Sequence, residues 1–135
     1  MKKHLIAAAV TSIVLLVFAY LCLLIMPRLP EAMLEDYFSP AFVNDENRNL
    51  FYFVQPVVLA FALSWFWTRF KESFAGNWAM KGLELGVVYV LVASLPAMIL
   101  LFSAINVSAA TVGTWLLYSF AQATIAGEIS ARIDP

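Results

Sequence analysis

Apolar positions fill four long stretches, 5–26, 50–70, 82–103 and 109–130, and polar residues gather in the connections between them. Each stretch is near the ~20 residues that a helix needs to cross about 30 Å of hydrocarbon. The pattern predicts an all-α polytopic membrane protein, an antiparallel four-helix transmembrane bundle forming a single domain over 1–135. The first stretch follows Met1-Lys2-Lys3-His4 in the manner of a leader. It is longer than the 7–15-residue apolar core of a secretory signal and no small-x-small cleavage pattern follows it, so it is expected to stay as the first span. His4 reads as a solvated flanking residue.

The connection 27–49 is the longest and carries its own pattern. Pro30 suits the start of a helix, where its missing N–H is not needed. In Glu31–Phe38, Met33, Leu34, Tyr37 and Phe38 share one helical face, and Glu31, Glu35 and Asp36 lie away from it. The expectation is a short amphipathic helix in the first outer loop, lying on the membrane surface or capping the bundle. Ser39-Pro40 ends it. Asn44 or Asp45 is placed to cap the helix that follows, and Asn77 the third long one, after a left-handed stop at Gly76. Pro56 and Pro96 fall inside the second and third stretches and should disturb them locally.

Composition makes the choice of solvent firm. The chain is 63% hydrophobic and 13% charged, against about 45–50% and about 25% in soluble domains. A net charge of −1 excludes nucleic acid, which calls for a basic stripe. Lys2, Lys3, Arg69, Lys71, Lys81 and Arg132 fall on one side of four alternating spans, and Arg28 and Arg48 on the other. That bias places both termini in the cytoplasm and 27–49 outside. Cys22, the single cysteine, cannot form an internal disulfide and reads as a small buried hydrophobe.

Helices in lipid associate through close backbone approach at small residues. Ser119, Ala123 and Gly127 recur every four residues in the last stretch, Gly113 begins a similar row, and Gly82 and Gly86 form a matching pair in the third. Face-to-face packing of the third and fourth spans is expected, within one copy or between copies.

Four polar side chains inside the spans are the candidate chemistry: Gln55, Glu84, Gln122 and Glu128. Glu84 has Lys81 one turn before it, and Glu128 has Arg132 one turn after it, each a favourable helix pair. At similar depth in neighbouring spans, Glu84 and Glu128 would share a proton if they faced each other. Gln122 calls for a partner across a helix interface, and Gln55 either for the carbonyl freed by Pro56 or for a place in the wall of a shallow outward pocket. The spans hold no histidine, which rules out the usual haem or zinc site. No serine–histidine pair is expected in the bundle. No catalytic residue, cofactor or metal is assigned.

Asn47-Arg48-Asn49-Leu50 through Gln55-Pro56, the glycine-bearing third stretch and Gln122-Ala123-Thr124-Ile125-Ala126-Gly127 form a loose pattern. It resembles small uncharacterised four-span bacterial membrane proteins. That resemblance implies a four-helix bundle in the bacterial cytoplasmic (inner) membrane, with no assigned activity. The first span lacks the inward glutamate of a small multidrug exporter. The expected role is non-enzymatic: an integral membrane protein acting through helix contacts, as a homo-oligomer or as a subunit with another membrane protein, in contact with membrane lipids. A small ion, proton or solute transporter using Glu84, Gln122 and Glu128 is the first alternative. Binding of a lipid-like ligand among Trp65, Trp67, Tyr89 and Trp115 is the second.

Overall fold

The structure, a computed structural model, describes residues 2–42 and 45–135. Among them there are helices and connections and no strand. Helix α1 spans Lys2–Ile25 and runs into a 3-10 turn, Met26–Arg28; α2 is Glu31–Tyr37 and α3 is Glu46–Asn49. Helix α4 spans Phe51–Phe70 and also ends in a 3-10 turn, Lys71–Ser73. Helix α5 spans Trp78–Tyr89, a π turn covers Val90–Ser94, α6 continues over Leu95–Ala104, and α7 spans Ala109–Ile133.

The starts and stops follow from local chemistry. Asp45 accepts the N–H of Asn47 at 3.0 Å, and Asn77 that of Met80 at 3.0 Å. Ser108 accepts the N–H of Thr111 at 3.2 Å. Each satisfies one of the free donors of a helix N-terminus. Asn44, the other expected cap, lies outside the described residues. Gly76 has φ +91, the left-handed conformation that glycine reaches without strain. It reverses the chain between α4 and α5. The π turn answers Pro96: its Leu95 N–H reaches back to the Val90 carbonyl. A proline ring one turn into a regular helix would crowd the carbonyl four residues earlier, and a widened turn relieves this.

Three segments are long and apolar enough to cross a membrane: Lys2–Arg28, Glu46–Ser73 and Trp78–Ala104, with mean hydropathy 2.7, 1.7 and 2.5. Only 22%, 33% and 17% of their apolar windows are buried within the molecule, so most of that hydrocarbon surface faces outward, as a lipid solvent requires. Helix α7 is as long but more polar, and it is the helix the others enclose. It packs against α1, α4 and α5 and touches α2. Thr111, Gln122, Ala123, Ala126, Gly127, Ser130 and Ala131 are buried along it.

The closest helix pair is α5 with α7. A Cβ added at Gly127 would lie 2.9 Å from the Gly82 Cα, and one at Gly82 would lie 2.9 Å from the Glu128 amide nitrogen. At Gly86 an added Cβ would meet the Phe120 ring at 3.0 Å. These glycines set the distance between the two backbones. Gly113 has nothing within 4 Å of where its Cβ would stand, so the upper row of small residues makes no comparable approach. Ser119 is half-buried, whereas Ala123 joins Ala126, Leu15, Leu59, Ala60 and Leu63 in a core shared by α1, α4 and α7. A second core, Trp67, Leu85 and Ala131, lies near the turn at Gly76, with Phe74 stacked on Trp67 at 5.5 Å.

Gly127→Leu should therefore lower stability by about 1–3 kcal/mol or more through overpacking, whereas Gly113→Leu should leave it unchanged. Thermal melts of both variants in mild detergent check the contrast.

Candidate functional site

The four expected polar residues are not gathered into one site. Gln55 and Gln122 form a reciprocal amide pair: Gln55 Nε2 donates to Gln122 Oε1 at 3.2 Å and Gln122 Nε2 to Gln55 Oε1 at 3.1 Å. Gln122 is fully buried. Gln55 thus bonds a side chain of α7 rather than a carbonyl freed by Pro56. Glu84 accepts the Ala75 N–H at 3.1 Å and tethers the start of α5 to the turn before it. Glu128 packs over Gly82. Positions 82 and 84 are about 200° apart around a helix, so the two carboxylates address different faces of α5 and do not meet.

Neither expected helix ion pair forms. Among the described residues the one ion pair is Lys71 with Asp134, at 2.8 Å. The Arg132 guanidinium lies 3.6 Å from the centre of the Trp78 ring, where cation–π attraction replaces Glu128. The Trp67 indole N–H donates to the Asp134 carbonyl at 2.8 Å. His4 and Ser64 do meet, contrary to expectation: His4 Nδ1 lies 3.1 Å from Ser64 Oγ, and Ser64 Oγ donates to the His4 carbonyl at 3.0 Å. The pair ties α1 to α4. No group of three metal-ligating side chains exists among the described residues.

The opposite end of the molecule is organised by a clasp. Asp36, at the close of α2, accepts hydrogen bonds from the Ser108 N–H at 3.0 Å, the Ser108 hydroxyl at 2.6 Å and the Thr111 hydroxyl. A carboxylate here meets the free N–H groups and the positive end of the α7 dipole. The Ser108 hydroxyl, then Thr111 and the Ser108 N–H, hold the Asp36 carboxyl below its ordinary value. The sequence pattern placed Asp36 on the polar face of α2, turned away; the structure turns it onto α7. One residue on, the Trp115 indole donates to the Tyr37 hydroxyl at 2.7 Å. The short helix therefore caps α7, with Met33, Leu34 and Tyr37 half-buried and Phe38 86% exposed.

Beneath this cap lies a cavity of about 720 Å³ between α1, α4 and α7. Tyr37, Phe42, Tyr52, Phe53, Trp115 and Tyr118 supply an aromatic wall, and Cys22, Met26 and Asn49 complete parts of it. The rings brace one another: Tyr118 stacks on Phe18 at 5.4 Å and lies 6.5 Å from Tyr52, while Phe42 meets Trp115 edge-on at 5.9 Å. Tyr52 donates to the Ala19 carbonyl at 3.0 Å. The Tyr118 hydroxyl is buried on the Tyr52 side of the space. No charged side chain lines the space. Of the four aromatics singled out in the sequence, Trp115 alone is in this wall. Trp67 is in the core near Gly76, Tyr89 packs on the mid-molecule core, and Trp65 lies exposed beneath Arg69.

The chain matches no known protein-family model, no curated protein and no solved structure.

Two outcomes follow. In a double-mutant cycle of Gln55→Leu and Gln122→Leu, melting in detergent should give a coupling of about 0.6 kcal/mol, up to ~1.7, because each single change strands the other amide. For the clasp, an Asp36 pKa lowered by folding gives stability that is present above the ordinary carboxylate value of 3.8 and lost as pH falls through the lower folded value. Asp36→Ala should melt below the parent at pH 6, and the gap should close in strong acid.

Proposed function

We propose that this chain is a four-span integral protein of the bacterial cytoplasmic membrane that binds an uncharged, lipid-like molecule in the aromatic cavity under α2. The single observation that carries this reading is the cavity itself. Its volume of about 720 Å³ falls in the ~300–1,000 Å³ range of small-molecule sites, its wall is aromatic, and no charge lines it.

The span count is part of the proposal, and the contacts support it. His4 meets Ser64, Tyr52 meets Ala19, and Gly82 meets Glu128 while Gly86 meets Phe120. Residue numbers rise on one helix as they fall on its neighbour, which is the antiparallel arrangement. On this reading α7 is the fourth span, and its polar residues are tolerated because the three apolar segments shield it from lipid. The basic residues Lys2, Lys3, Arg69, Lys71, Lys81 and Arg132 then share the cytoplasmic face, with the cavity and its cap on the other side.

The geometry also weighs against the competing roles. Gln55 and Gln122 satisfy each other, and Glu84 and Glu128 are apart, so the four residues do not form one ion site. The glycines Gly82, Gly86 and Gly127 pack within the chain, so they give no motive for self-association.

Lipid extraction and mass spectrometry of the protein purified in mild detergent should find a neutral lipid-like species held by the parent chain. Trp115→Ala, which opens the wall and removes the bond to Tyr37, should lower its occupancy about tenfold or more. Equal occupancy in both, with both variants folded, would overturn the reading.

A further inference from the structure

A second hollow, independent of the first, lies at the opposite end of the molecule between α4 and α5. It measures about 530 Å³, and its wall is built from Phe66, Phe70, Phe74, Met80 and Leu83, with Glu84 as the one charged side chain. Phe66 and Phe70 stand 4.4 Å apart at a tilt, and Phe70, Met80 and Leu83 are exposed. The floor is thus apolar and aromatic, open on one side, with a carboxylate set into it.

Among the described residues that carboxylate forms no ion pair. Three basic residues of α4, the turn that follows it and α7 are engaged elsewhere. Arg69 lies over Trp65 at 5.6 Å, Lys71 is paired with Asp134, and Arg132 lies over Trp78. Lys81, three residues before Glu84, does not come within ion-pairing distance of it. One Glu84 oxygen, Oε2, takes the Ala75 N–H, and this fixes the side chain at the wall. A half-buried carboxylate among apolar groups is costly without a partner. Phenyl faces beside a carboxylate attract an organic cation twice over, through the ring quadrupoles and through the charge.

We propose that the hollow between α4 and α5 is a binding site for a lipophilic cation, an ammonium or phosphonium carried on aromatic or alkyl groups. The carboxylate of Glu84 supplies the charge and Phe66, Phe70 and Phe74 the apolar cradle.

Tetraphenylphosphonium and the neutral triphenylphosphine oxide serve as paired probes, titrated into the full chain in mild detergent by calorimetry. Glu84→Gln removes the charge but keeps an oxygen that accepts the Ala75 N–H, so the turn is preserved; a melt identical to the parent checks this. The phosphonium should bind the parent chain, and Glu84→Gln should weaken it about tenfold or more while leaving the weak binding of the neutral probe unchanged. Phe70→Ala should weaken both probes. Phosphonium binding that is equal in the parent and in Glu84→Gln would overturn the proposal, as would no binding at all. Trp115→Ala, at the other cavity, should leave phosphonium affinity as it is.

Discussion

Everything in this molecule answers to the polarity of α7. A helix carrying Gln122, Thr111 and Ser130 on its buried positions cannot be wrapped in hydrocarbon, because an amide or hydroxyl without a partner in an apolar medium costs several kcal/mol by about the upper range of transfer estimates. Neighbouring helices must therefore stand close enough to shield it. Gln55 does so by bonding Gln122 directly. Helix α5 does so by approaching until Gly82 and Gly127 touch through backbone atoms, a distance that any side chain at either position would forbid. The three more apolar segments keep their remaining surface for the surroundings.

Shielding the middle of α7 leaves its N-terminus to be covered separately, and the long connection performs that task. Asp36 satisfies the Ser108 N–H and two hydroxyls, while Tyr37 receives the Trp115 indole. Held at this one corner, Tyr37 and Phe42 border the gap between α1, α4 and α7 rather than filling it. The aromatic hollow follows from the capping geometry: Tyr37, Phe42 and Trp115 both hold the cap in place and line its upper wall.

The helices were legible in the sequence because hydropathy and cap chemistry are local. Asp45, Asn77 and Gly76 act where their residue types suggest, and the small residues at 82, 86 and 127 mark the close pair. What was not legible depends on partners distant along the chain. Asp36 and Ser108 are far apart in sequence, and nothing in either neighbourhood names the other. Arg132 has Glu128 one turn away, which a single-helix rule favours, but Trp78 of another helix offers a flat face at 3.6 Å and takes it. Gly113 belongs to the same spacing as its successors, but its neighbours in space are missing, and spacing alone carries no record of that. The cavity walls come from five separate elements, so no window of sequence displays them.

The π turn at Val90–Ser94 has a consequence for how this segment is to be read. A bond that spans five residues in place of four inserts one position, and one position is about 100° of azimuth. The face that meets α7 before the turn is therefore shifted in phase after it; α6 still touches α7 but contains no buried residue. A helical wheel drawn continuously from Trp78 to Ala104 would therefore place the residues of its second half about 100° out of phase.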